Sequence, residues 1–290
     1  MKERLQKSLE NRVREFVGEK KTKDEKVIRK RELMSVREAD IVKANGTGKI
    51  LKVEKRDGMN HLYYIVHLKY LIRQGDFFYV EEEVERRRAS FTQKELLYDD
   101  EELTVEFPLD APEISFYDED REPGMERYTY DRLQVVQYAE RWWNDYNPAY
   151  KKFEVDCTNF VSQCIRAGGA PMRGHPNRNR GWWYTGKNWS FSWAVAHSLK
   201  NYLQNSTAGL RAKEVHDPLE LQHGDVICYD FQGDGRFDHN TVVTGKDANG
   251  MPLVNAHTYN SRMRYWAYED SSAYTPNIKY KMFHIIDDSS

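Results

Sequence analysis

The spacing of hydrophobic positions changes along the chain, and the changes divide it into segments. At the start, Leu5, Leu9, Val13, Phe16 and Val17 return at helical intervals and give one apolar face. Thr22 and Glu25 have capping-box spacing ahead of a second helix that carries Val27, Ile28 and Met34. From about Thr47 the period shortens to two. The segments TGKILKVEKR, MNHLYYIVHLKYLIR and FFYVEEEVERRRASF are separated by Asp57-Gly58 and Gly75-Asp76, and they predict an antiparallel meander. The run from Glu95 to Glu122 is acidic and holds Pro108 and Pro112, with Pro123 just beyond it. It reads as an edge strand entering a linker, with a domain boundary near Gly124. Residues 1–124 are thus expected to form an accessory α+β domain without clustered catalytic residues.

Residues 125–290 open with a helix, YDRLQVVQYAERWWNDY, whose apolar stripe is Leu133, Val136, Tyr138, Trp142 and Tyr146, ended by Pro148. A second helix is expected from Cys157 to the stop at Gly168-Gly169. An Arg-, Asn-, Trp- and Gly-rich loop follows from Pro171 to Ser192, then a third helix from Trp193 to Leu203. Short strands close the chain: HGDVICYDF, HNTVVTG, MPLVNAHT and IKYKMFHI. Helices first and an antiparallel sheet second is an α+β layout.

Composition narrows the function classes. The 290 residues suit two domains, and 39% hydrophobic with 13% aromatic content argues for packed cores. No stretch approaches the roughly 18 apolar residues of a membrane span. The first residues alternate in charge and lack a signal-peptide core, which predicts a cytoplasmic protein; a wall-facing role would need a leader ahead of this sequence. Lys plus Arg (44) against Asp plus Glu (46) gives a net charge of -2, which argues against a nucleic-acid partner. Three cysteines leave at least one free thiol and exclude a disulfide scaffold.

That thiol has a candidate. Cys157 opens a helix, where unpaired N–H groups and the helix dipole favour the thiolate, and its neighbours Thr158, Asn159 and Ser162 are polar. Its own backbone N–H is the natural donor to a developing oxyanion. Cys164 and Cys228 sit among apolar residues and read as structural. A thiol nucleophile needs a base, and His239, at the start of a strand after a Gly/Asp turn, is placed to serve. His257 and Asn255 lie two residues apart on the next strand and share a face, so either could orient His239. Trp182, Trp183 and Trp189 offer a stacking surface for substrate or, equally, a lid over a small core; Trp193, at a helix start, reads as core. Asp230, Gln232, Asp234, Gly235 and Asp238 match positions of a calcium loop, but Thr241 replaces its terminal Glu. A tight polar turn presenting His239 is the preferred reading, and no metal or cofactor is expected.

The segments VVQYAERWWNDYNPAYKKFEVDCTNFVSQCIRAGG, WSFSWAVAHSLKNYL, LQHGDVICYDFQGDGRFDHNTVVTG and VNAHT occur in one order across about residues 128–286. They resemble the bacterial putative amidase domain family, within the papain-like superfamily of cell-wall amidases and endopeptidases. The resemblance implies a papain-like core of helices on an antiparallel sheet, with Cys157 as nucleophile and His239 as general base and acid. It also implies His257 as the orienting residue, with Asn255 as the alternative. The implied function is hydrolysis of an amide or peptide bond, with peptidoglycan stem peptides as the suggested substrate and no cofactor. The competing expectation is a non-catalytic module that holds a wall peptide or glycan in the same cleft.

Overall fold

The computed structural model describes residues 1–18, 20–93, 95–102 and 127–288, so the linker and boundary expected near Gly124 lie outside the described residues. The chain divides into two compact units. One gathers the described residues of 1–102 together with Tyr259–Tyr274, and the other gathers those of 127–258 and 275–288. The α+β expectation holds for both. Among the described residues no helix is long and apolar enough to cross a membrane.

The first unit consists of α1 (Lys2–Phe16), α2 (Glu25–Val36) and four strands, β1 (Ala39–Arg56), β2 (Met59–Gln74), β3 (Phe77–Thr92) and β4 (Glu95–Glu101). Each strand pairs antiparallel with the next, which is the expected meander, although β1 begins at Ala39 rather than near Thr47. The expected Thr22/Glu25 capping box is replaced by Asp24, whose carboxylate accepts from the N–H groups of Lys26 and Val27. A short strand, Ser261–Tyr265 (β11 in chain order), pairs with β3. It comes from a stretch whose sequence alone placed it with the second domain.

Strand β3 carries buried charge. Glu81, Glu83 and Glu85 are buried, not solvated, because α1 and α2 bring cations onto that face. Lys26 Nζ lies 2.9 Å from Glu83 and 2.7 Å from Glu85, and Arg12 clasps Glu85 through two bonds of 2.8 and 3.0 Å. Lys30 bonds Glu81 and, at 2.8 Å, Asp270, which Arg264 also pairs at 2.9 Å. Burial pushes the Glu81 carboxyl up against the pull of Lys30, whereas Arg264 and Lys30 overcome the same burial and hold Asp270 well down.

The second unit packs helices on a five-stranded antiparallel sheet. Its helices are α3 (Arg132–Trp142), α4 (Cys157–Ala167), α5 (Phe191–Ala194) and α6 (Ala196–Asn205). A two-strand hairpin, β5 (Tyr184–Thr185) and β6 (Asn188–Trp189), precedes α5. The sheet is built from β7 (Arg211–Val215), β8 (Val226–Asp230), β9 (His239–Lys246), β10 (Pro252–Ala256) and β12 (Lys279–Ile286), in the order β10-β9-β8-β12-β7. The expected third helix is broken at Val195, whose extended backbone separates α5 from α6. Helix α3 buries Val135 and Ala139, while Leu133 is 63% exposed, so its packed stripe is rotated from the expected one. Helix α4 matches expectation and is buried from Cys157 to Ile165, with Phe160, Val161, Cys164 and Ile165 in the core.

Candidate active site

The start of α4 is a polar knot inside this core. Asp156 precedes Cys157, and its carboxylate accepts from Phe153 N–H (2.9 Å) and from Asn159 Nδ2 (2.9 Å). Asn159 also donates to the carbonyl of Lys151 and accepts from Trp193 Nε1 at 2.9 Å. Asp156, Asn159 and Trp193 satisfy one another's buried polar groups, which fixes the helix start. The Cys157 thiol is 1% exposed. Burial pushes its pKa up, opposed by the N–H of Asn240 and by the hydroxyl and N–H of Thr158.

The backbone N–H groups of Asp156 and Cys157 converge on one oxygen, Thr258 Oγ1, at 2.8 and 3.1 Å. The Cys157 N–H, expected to be free for an oxyanion, is occupied by Thr258 in this structure. Thr258 holds a left-handed backbone, φ +65°, which a β-branched residue seldom adopts.

Strand alternation divides the remaining candidates between two faces. Cys228 pairs with Asn240 and Tyr229 with His239, so neighbours 239 and 240 point opposite ways. Asn240 faces α4 and donates from Nδ2 to Thr158 Oγ1 at 3.0 Å. The ring of His239 lies 5.7 Å from that of Tyr229 and 6.1 Å from that of Phe231. Asn255 pairs with Val242, and with His257 it shares the helix-facing side.

His257 corrects the expectation most plainly. Its Nδ1 lies 2.7 Å from Asp156 Oδ2, and its Nε2 donates to the carbonyl of Trp142 at 2.8 Å. Its ring stacks on Phe160 at 4.1 Å. Both ring nitrogens are thus engaged by oxygens, Asp156 Oδ2 and the Trp142 carbonyl, and neither is left to hold His239. Asn255 donates to Glu140 Oε1 (2.9 Å) and accepts from Thr244 Oγ1 (2.8 Å).

The tryptophans separate as well. Trp182 and Trp183 are buried, Trp182 donating to Ser162 Oγ (3.0 Å) and Trp183 to the carbonyls of Asn177 and Arg180. They are core residues, not a stacking surface, and Trp193 joins them at 4.8 Å from Trp182. Trp189 alone of the three expected binders is half-buried. The Asp230–Asp238 segment is a tight polar turn: Asp230 accepts from the N–H groups of Gly233, Asp234 and Gly235. Asp238 is buried beside Asp230 and Asp234, which pushes its carboxyl up to about 6 against the N–H of Phe231, and its Oδ2 has no partner.

The putative amidase domain model matches residues 129–283, which is more than half of the chain. The chain belongs to the putative amidase domain family. Within that family it is similar to the uncharacterized protein YhbB of Bacillus subtilis (strain 168), with 52% identity over 270 residues, 90% of this chain and 86% of the relative. That similarity extends well into the first unit. It is also similar to the uncharacterized protein YjcM of the same strain, 31% identical over 140 residues, 45% of this chain and 31% of the relative. No solved structure matches the chain. Sequence reasoning missed Asp156, Thr258 and Asn240. The acidic residue ahead of a helix-start cysteine was a readable signal for the first; Thr258 needed the turn after β10 and Asn240 the β8–β9 register.

Proposed function

We propose that this family member hydrolyses an amide or peptide bond with Cys157 as nucleophile. The observation that carries the reading is the convergence of two consecutive backbone N–H groups on a single oxygen beside the thiol. A scissile carbonyl oxygen taking the place of Thr258 Oγ1 would receive both donors, which strengthen as it becomes an oxyanion. His239 takes the thiol proton as sulfur attacks the carbonyl carbon. It returns that proton to the leaving amine as the C–N bond breaks, and water then cleaves the thioester with His239 as base. His239 serves the sulfur from the start of β9. An amine in place of water would make the same chemistry an acyl transfer. Peptidoglycan stem peptides are the proposed substrate class.

The buried thiol favours a second reading, a peptide-binding module on the same scaffold. Digestion of peptidoglycan fragments, followed by mass spectrometry, decides between them. Hydrolysis that disappears in Cys157→Ala supports the enzyme; binding without cleavage, unchanged in Cys157→Ala, supports the module.

A further inference from the structure

A chain of net charge -2 concentrates cations beside this site. Residues 151–189 hold seven Lys and Arg against two acids, Glu154 and Asp156. Asp156 is buried and engaged by His257, which leaves one exposed carboxylate for the whole stretch. Three of the exposed cations are held by aromatic rings. Lys151 Nζ lies 4.6 Å from the centre of the Trp189 ring, and the Arg178 guanidinium lies 5.1 Å from it. Arg178 also stacks on Phe191 at 4.7 Å, and Lys152 stands 3.7 Å over Tyr146. Arg178 Nε donates to the carbonyl of Trp189, which fixes its fork in place. Among the described residues no carboxylate pairs with Lys151, Lys152 or Arg178.

These cations connect directly to the start of α4. The Lys151 carbonyl accepts from Asn159 Nδ2 at 3.0 Å, Phe153 N–H bonds Asp156 Oδ1, and the Tyr146 ring lies 4.9 Å from that of His257. Ring stacking holds a cation in position and leaves N–H donors free for an outside acceptor. Two such donors on one half-buried tryptophan, with a third, the adjacent Lys152, on Tyr146, suit carboxylates on a flexible chain. With so few cations and a negative whole chain, the patch is short for a nucleic-acid track.

We infer that Lys151 and Arg178 on Trp189, with Lys152 on Tyr146, form a subsite for a peptide carrying carboxylates, so that the amide presented to Cys157 belongs to an acidic substrate. The inference rests on the proposed hydrolase reading for its link to cleavage, but the binding itself can be measured without it.

The test uses the full chain carrying Cys157→Ala and a dansyl-labelled hexaglutamate peptide, followed by fluorescence anisotropy at low and moderate salt. The proposal expects saturable binding that weakens with salt and falls about tenfold or more when Lys151, Lys152 and Arg178 are all changed to Gln, the combined loss of three exposed charge contacts. A hexaglutamine peptide should bind no better than that triple variant binds hexaglutamate. Absence of hexaglutamate binding, or binding that the triple variant leaves intact, overturns the proposal, as does an oligothymidine that binds as tightly as hexaglutamate. Should the triple variant fail to fold by circular dichroism, Lys152→Gln and Arg178→Gln singly take its place: each is expected to lower affinity, and unchanged affinity in both overturns the proposal. Binding that passes these tests on a protein without hydrolytic activity would retain the subsite and remove only the enzyme reading.

Discussion

The Oγ1 of Thr258 accepts from the backbone N–H of Cys157 at 3.1 Å and from that of Asp156 at 2.8 Å, so one side chain holds both donors at the head of α4. If a substrate oxygen takes that place during turnover, the hydroxyl is dispensable for chemistry but not for stability. Thr258→Ala leaves two buried N–H groups without an acceptor and should cost about 1–3 kcal/mol in urea unfolding. Turnover on an active substrate should stay within about tenfold, because the donors themselves remain; loss of a true oxyanion donor costs about 10²–10³. A fall of that larger size would assign the hydroxyl a direct catalytic part.

His257 and Asp156 should behave as one unit. Removing either leaves the other buried without its partner, so His257→Ala should destabilise the protein by about 3–5 kcal/mol. The double variant His257→Ala/Asp156→Ala should be little worse than the singles, a coupling readable from a double-mutant cycle by urea titration. Additive losses would show that the pair is not the source of the stability.

Asp238 sets a pH dependence of defined sign. Its folded carboxyl is raised to about 6, above the usual value near 3.9 of an unfolded chain. Between about pH 4 and 6 the folded protein therefore binds more protons than the unfolded one, and the contribution of this group falls as pH rises through that window. Asp238→Asn should leave stability unchanged near pH 4 and raise it above pH 6, measured as Tm across that range. An equal effect at both ends would contradict the assignment.

In the first unit, Lys30→Met leaves Glu81 and Asp270 facing each other without the cation that bonds both. The expected loss is about 3–5 kcal/mol, and adding Glu81→Gln should recover part of it. Thermal unfolding of the full chain would follow both changes; no recovery would place the cost elsewhere.

Much of this was legible before any coordinates. The meander followed from alternation and from turns at Asp57-Gly58 and Gly75-Asp76. Helix α4 followed from a polar start at Cys157 and a Gly-Gly stop. What remained hidden was orientation. The burial of Glu81, Glu83 and Glu85 is not readable along β3, because the cations that pair with them come from residues 12, 26 and 30. His239 and Asn240 are adjacent in sequence, and only the β8–β9 register decides which of them faces α4. His257 looked like a catalytic orienting group because its buried partners, Asp156 and the Trp142 carbonyl, lie 101 and 115 residues away.

The most direct test is competitive alkylation of the native chain by iodoacetamide at neutral pH, mapped by peptide mass spectrometry. Burial pushes all three thiols up, but Cys157 alone has its sulfur met by the N–H of Asn240 and the hydroxyl of Thr158 at a helix start. Cys157 should therefore be modified faster than Cys164 or Cys228, and His239→Ala should slow it. Equal labelling of the three, or labelling of Cys157 only after unfolding, would contradict its role as nucleophile.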